Sequence, residues 1–133
     1  MNCRWLRIIP QPDEDELAQL TLIGYATAFG YGAEVVIRVG GHDPSGGPGQ
    51  ASEQTFTMMA NTIGDFTAAE LLAENTVRFD MPDGRAVFAL WEGTTLPPEV
   101  TGTVKVITYA GEESQREAAE VVASVPMLVV MEP

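Results

Sequence analysis

Cysteine, histidine and lysine are almost missing from this sequence: Cys3, His42 and Lys105 are the sole residues of each kind. One cysteine forms no internal disulfide, which excludes a disulfide-stapled secreted scaffold. A thiol nucleophile needs a histidine base beside it, and His42 stands in a glycine-rich stretch far along the chain from Cys3. One histidine and one cysteine are also too few for a zinc centre. Bases are scarce altogether, with 7 Lys and Arg against 19 Asp and Glu and a net charge of −12. That balance argues against unspecific binding to nucleic acid, which needs cations to displace counterions from phosphates, and against docking on anionic lipid. The near-absence of lysine beside many carboxylates reads as a GC-rich coding bias, since Ala, Gly and Arg are well used, with adaptation to high salt as the alternative.

Long apolar runs are missing too. The longest, Val125 to Met131, has the length of a strand and contains Pro126, well short of the ~18 residues of a membrane span. Near the start, Arg7 and Pro10 interrupt Trp5, Leu6, Ile8 and Ile9 before a secretory apolar region can build up. The expected setting is a soluble protein, in the cytoplasm or in a particle assembled there.

What is present suits one folded domain over 1–133. The 45 % apolar composition is globular, and a chain of this size buries about two thirds of its unfolded surface without help from metal or disulfide. Charge is unevenly placed. Residues 1–12 carry Arg4 and Arg7 and no acid, 13–16 are Asp-Glu-Asp-Glu, and 51–84 and 112–133 are strongly acidic, whereas 85–111 is neutral and the best candidate for core.

Alternation of apolar and polar residues dominates the chain. Half-buried strands are expected at 33–39, 54–60 and 76–81, and a strand apolar on both faces, hence central or covered by a partner, at 85–92. The Thr, Ile, Tyr and Phe content of 20–29 reads as a long strand, though its first residues could continue a helix. Further strands are expected at 103–109, 3–9 and 126–131. Met81-Pro-Asp-Gly-Arg85 is a turn joining 76–81 to 85–92, and Gly30-Tyr31-Gly32 is read as joining 20–29 to 33–39. Two S/T-x-x-E patterns, Thr67 to Glu70 and Ser114 to Glu117, read as capping boxes opening short helices through about 74 and over 114–123. The second stretch is valine-rich enough to be a strand instead. A short helical turn at 13–20 suits the acidic run. The fold class is therefore mainly β within α+β: an antiparallel β-sandwich or barrel-like domain of about eight strands with one or two short helices.

No constellation carries a recognisable chemistry. The glycine-rich loop 40–50 lacks the Lys-Ser/Thr ending of a phosphate loop. His42 beside Asp43 reads as a solvated loop pair. Asp13 and Asp15 lack the glycine and distal glutamate of a calcium loop. Asp80 and Asp83 resemble an acid/base pair, but Asp83 already serves the turn. Trp5 and Trp91 could offer a stacking platform, although aromatic residues in β-rich domains are usually core. The expectation is a non-enzyme with no catalytic residue, cofactor or metal.

Among non-enzymes, the first reading is a structural subunit of a large symmetric assembly: a phage or virus virion protein, decorating a capsid or built into a neck or tail. Its partners would be copies of itself, as trimers or hexamers, and other structural proteins of the assembly, with neither nucleic acid nor membrane among them. Possible arms at 1–12 and 125–133 and the loop 40–50 would reach neighbouring subunits, which makes Trp5, Leu6, His42, Asp43, Leu128 and Val130 the candidate interface residues. Core packing is the alternative for the four apolar ones. Two other readings fit the charge and the aromatics: an acidic mimic of nucleic acid that blocks a basic protein, and a small carbohydrate- or surface-binding module.

Overall fold

The computed structural model describes residues 13–33 and 50–133. They form two helices and one antiparallel sheet: α1 (Glu14–Gly30), α2 (Gln50–Ile63), β1 (Ala68–Ala73), β2 (Thr76–Asp80), β3 (Ala86–Leu90), β4 (Thr103–Thr108), β5 (Glu113–Glu117), a single 3-10 turn (Ala118–Glu120) and β6 (Met127–Met131). The six strands lie in the order β1-β2-β3-β6-β4-β5, and every pairing is antiparallel. The class is therefore α+β with a mainly antiparallel sheet, and within the described residues the strands make one sheet.

The acidic run begins a helix much longer than a turn. Asp13 accepts a hydrogen bond from the Glu16 amide at 2.7 Å, and Glu14, Asp15 and Glu16 crowd the first turn, where the helix dipole favours anions. Residues 20–29, expected as strand, continue this helix to Gly30. Their β-branched and aromatic content favoured extended backbone. Ala18, Leu22 and Ala26 fall four apart, however, and burying that stripe decides the matter. Gly32, at φ +100°, stands just beyond the helix end, as a left-handed residue commonly does, and not in a hairpin.

Residues 54–60 also prove helical, within α2. The side chains α2 buries are Ser52, Thr55, Met59 and Ile63, which lie on one helical face. Two of the four are polar, so the buried stripe did not register as apolar, while Phe56, Met58 and Ala60 imitated a period of two. Thr55 is accommodated because its hydroxyl points at the Tyr109 carbonyl (2.7 Å) while staying near the Ala51 carbonyl (3.1 Å).

Where capping boxes suggested helices, the chain is strand. Both the amide and the hydroxyl of Thr67 donate to the Asp80 carbonyl, at 2.8 and 3.1 Å. That commits Thr67 to β2, and 68–73 follow as β1. Asn75 at φ +66° closes the tight turn into β2. Ser114 falls within β5, and of the expected helix 114–123 only the turn Ala118–Glu120 is helical.

The remaining strands are where alternation placed them: 76–81, 85–92, 103–109 and 126–131 correspond to β2, β3, β4 and β6. Pro82-Asp83-Gly84 makes the expected hairpin turn, with Gly84 at φ +92°. β3 is central and buried at all five positions, as its two apolar faces required. The strands expected at 3–9 and 33–39, the segment 1–12 and the loop over 40–49 lie outside the described residues.

Alternation along β2, β3 and β6 divides the core in two. On one face Val77, Phe79, Val87, Ala89, Leu128 and Val130 pack with Leu22, Ala26, Met59 and Ile63 of the helices. On the other, Phe88, Leu90, Val104, Val106 and Val129 pack with Leu96, Val100, Val121 and Ala123 from the long connections. α1 crosses β1, β2 and β3, and α2 lies against α1.

Candidate interaction surface

The helical side of the molecule is built from aromatic residues. Phe29 of α1 meets Phe66 and Phe79 in edge-on contacts with centroids 4.9 and 6.3 Å apart, and Phe66 meets Phe79 at 5.2 Å. Tyr25 and Phe56 join the two helices, with centroids at 5.4 Å. Between the carboxyl-terminal halves of the helices lies an apolar cleft of about 160 Å³, lined by Tyr25, Phe29, Phe56, Met59, Ile63 and Phe66 among others.

Exposed apolar side chains collect on the same elements. Leu20 and Tyr31 are 50 % and 76 % exposed on and just beyond α1, Phe56 stands partly open on α2, and Leu72 on β1. Val122, in the connection before β6, is the other large apolar residue left in water among those described. Such side chains cost little singly; four of the five large ones among the described residues stand on or just beyond α1, α2 and β1.

Among the described residues β1 and β5 are the two edges of the sheet, and they differ in kind. β5 reads Glu-Ser-Gln-Arg-Glu and is exposed at every position; its Glu113 pairs with Lys105 at 2.6 Å. β1 reads Ala-Ala-Glu-Leu-Leu-Ala, and its Ala69 and Leu71 pack against the core beneath the helices. No Lys or Arg occurs between Gly64 and Val77, whereas Asp65, Glu70 and Glu74 do.

The polar links are local. The Tyr109 hydroxyl donates to Asp15 at 2.5 Å and ties α1 to the end of β4. That bond, reinforced by partial burial, holds the phenol pKa above its ordinary value of 10.0. Asp83 accepts from the Arg85 amide at 3.1 Å and from its guanidinium at 2.7 Å. The amide bond is the chief cause that lowers the Asp83 pKa below 3.8. Asp80 is engaged by Arg78 at 2.9 Å. The two aspartates thus each hold an arginine.

Of the residues singled out from sequence, Leu128 and Val130 stand on β6, 0 % and 3 % exposed, and serve the core beneath the helices. Trp91 is 5 % exposed in the same core, which removes it as a stacking platform. Trp5, Leu6, His42 and Asp43 lie outside the described residues. Among the described residues no group of three or more His, Cys, Asp or Glu is placed to hold a metal, and no helix is long and apolar enough to cross a membrane. Sequence reasoning missed the β1 edge, because Thr67 and Glu70 imitate a capping box, and the exposed Leu20 and Tyr31, because 20–29 was read as strand. The absence of any basic residue across 64–77 was the available signal. No family model, curated protein or solved structure matches the chain.

Proposed function

We propose that this chain is a non-enzymatic structural subunit of a large symmetric assembly, a virion of a phage or virus being the setting that best suits it, as a capsid-decorating protein or a neck or tail component. The observation that carries this reading is that four of the five large exposed apolar side chains among the described residues, Leu20, Tyr31, Phe56 and Leu72, stand on or just beyond α1, α2 and β1. A rigid sheet with a buried centre is a suitable body from which to present such a side, and the charge of −12 keeps the rest of the surface soluble and away from packaged nucleic acid. The partners on this reading are further copies of the chain and other subunits of the particle.

Native mass measurement of the purified full chain tests it. Trimers or hexamers are expected, and Tyr31→Ser combined with Leu20→Ser should shift them toward monomer without loss of fold, since both side chains are largely exposed. A monodisperse monomer that also fails to co-sediment with assembled particles overturns the proposal.

A further inference from the structure

We propose that the β1 edge is a strand-addition site, and that its occupant is an extended segment of net positive charge from another chain, which pairs with Ala68–Leu71 as a seventh strand. This deepens the assembly reading by naming the surface and the chemistry of the partner.

The argument starts from how proteins treat sheet edges. An edge strand presents unpaired backbone donors and acceptors, and natural chains guard it with charges, proline or a bulge. β5 is guarded: it carries Glu113, Arg116 and Glu117, and neither of its faces is packed, so a strand added there would extend no core. β1 is the opposite. It has one charged residue, Glu70, and no proline. Its register with β2 is regular from Ala68 to Leu71, and the bulge falls beyond, between Leu71 and Ala73. Ala69 and Leu71 already contact the core, so a strand laid beside them would continue the apolar face under the helices while its alternate side chains met Glu70. Backbone pairing would provide affinity, and alternate side chains the selection.

Charge decides the occupant. The stretch 64–77 bears Asp65, Glu70 and Glu74 with no base; the base beside it is Arg78, opposite Glu70 on β2 and already engaged by Asp80. A second β1 would bring the same carboxylates into the pair, and like charges opposed across strands are destabilising. A strand carrying Lys or Arg at alternate positions would meet them favourably. A probe of this chemistry is the peptide with the sequence of residues 1–12, where Arg4 and Arg7 stand among apolar residues and no acid occurs; three apart, they fall on opposite faces of an extended strand, so one of them meets the Glu70 side.

The test is binding of that labelled peptide to the full-length protein by fluorescence anisotropy, at low and at high salt. Binding is expected, weakening as salt rises. Glu70→Lys, an exposed change, should weaken it about tenfold or more. N-methylation of alternate peptide amides, which removes ladder donors, should abolish it. Amide exchange should slow at Ala68–Leu71 on binding, and Glu113→Lys in β5 should leave affinity as it was. Absence of binding, indifference to N-methylation or to Glu70→Lys, or protection at β5 in place of β1 overturns the site. A chain that is monomeric by native mass and fails to co-sediment with assembled particles, yet binds the peptide in this manner, upholds the edge and overturns the assembly reading. Oligomers that persist with Glu70→Lys, together with no peptide binding, do the reverse.

Discussion

On the helical face of the sheet, Val77, Phe79, Val87 and Leu128 meet Leu22 and Ala26, presented by regular helix. On the opposite face, Phe88, Val104, Val106 and Val129 meet Leu96, Val100, Val121 and Ala123, presented by connections with hardly any regular structure. The helices satisfy their own backbone, so they can lie on the sheet through side chains alone. The connections cannot, and are stitched to one another: the Gly93 amide donates to the Ala123 carbonyl at 2.7 Å, the Ala123 amide to Thr94 at 2.9 Å, and the Ala118 amide to Gly102 at 2.8 Å. A dry sheet face therefore has two kinds of cover, one held by rings and aliphatic stripes, the other by backbone hydrogen bonds around small side chains. The exposed apolar residues mostly accompany the first kind, because a helix that buries one stripe still shows its remaining surface to solvent.

The largest expected effect probes the ring contacts. Phe79 and Phe88 are both fully buried, one on each face. Truncating either to alanine should cost about 3–5 kcal/mol in chemical denaturation. Phe79 additionally meets Phe29 and Phe66 edge-on, whereas Phe88 lies under the Arg78 guanidinium, 5.7 Å from the ring centre. Aromatic pairs contribute about 0.5–1.5 kcal/mol beyond burial, so Phe79→Ala should exceed Phe88→Ala by about 1 kcal/mol. Equal losses would mean that the two faces are held in the same way, and would break the comparison.

Val121→Ala sharpens it from the other side. Val121 is buried just past the 3-10 turn, and its amide donates to the Ala118 carbonyl at 3.2 Å. Removing two methylenes' worth of buried surface should cost about 2 kcal/mol. The backbone bonds around it remain, so amide exchange in the helices should be unchanged while that of Ala118 and Ala123 quickens. Quickening that spreads to α1 would show that the loop cover and the helical cover open as one unit.

The same contrast explains what could be read from sequence. β2, β3, β4 and β6 were legible because their side chains alternate and their burial alternates or is complete. The layers over them were not. α1 carries a stripe of Ala18, Leu22 and Ala26 embedded in residues that favour strand. α2 buries Ser52 and Thr55, which no apolar pattern reveals, and the partner that accepts the Thr55 hydroxyl is 54 residues away, at Tyr109. β1 follows a threonine, and β5 contains a serine, spaced like a helix cap, and what overrides the local signal is pairing with a neighbour: Thr67 with Asp80, and Ser114 with Val106. The candidate surface was hidden for the same reason, since an edge is defined by which strands stand beside it.

The smallest effect tests the polar tie between α1 and the end of β4. The Tyr109 hydroxyl donates to Asp15, so Tyr109→Phe should lose about 1 kcal/mol at neutral pH, the ordinary contribution of one such bond. The sign of the pH dependence follows from the raised phenol pKa. The folded chain holds this proton more tightly than the unfolded chain does, chiefly because ionisation would give up the bond to Asp15. The contribution is thus fully present below the ordinary phenol value of 10.0 and is lost as pH rises through the higher folded value. Denaturation midpoints of wild type and Tyr109→Phe should stay a constant distance apart up to about pH 9.5 and then converge, as the phenol begins to ionise near its unfolded value. A gap that stays constant into strong alkali would show that the hydroxyl gives α1 no hold on the sheet.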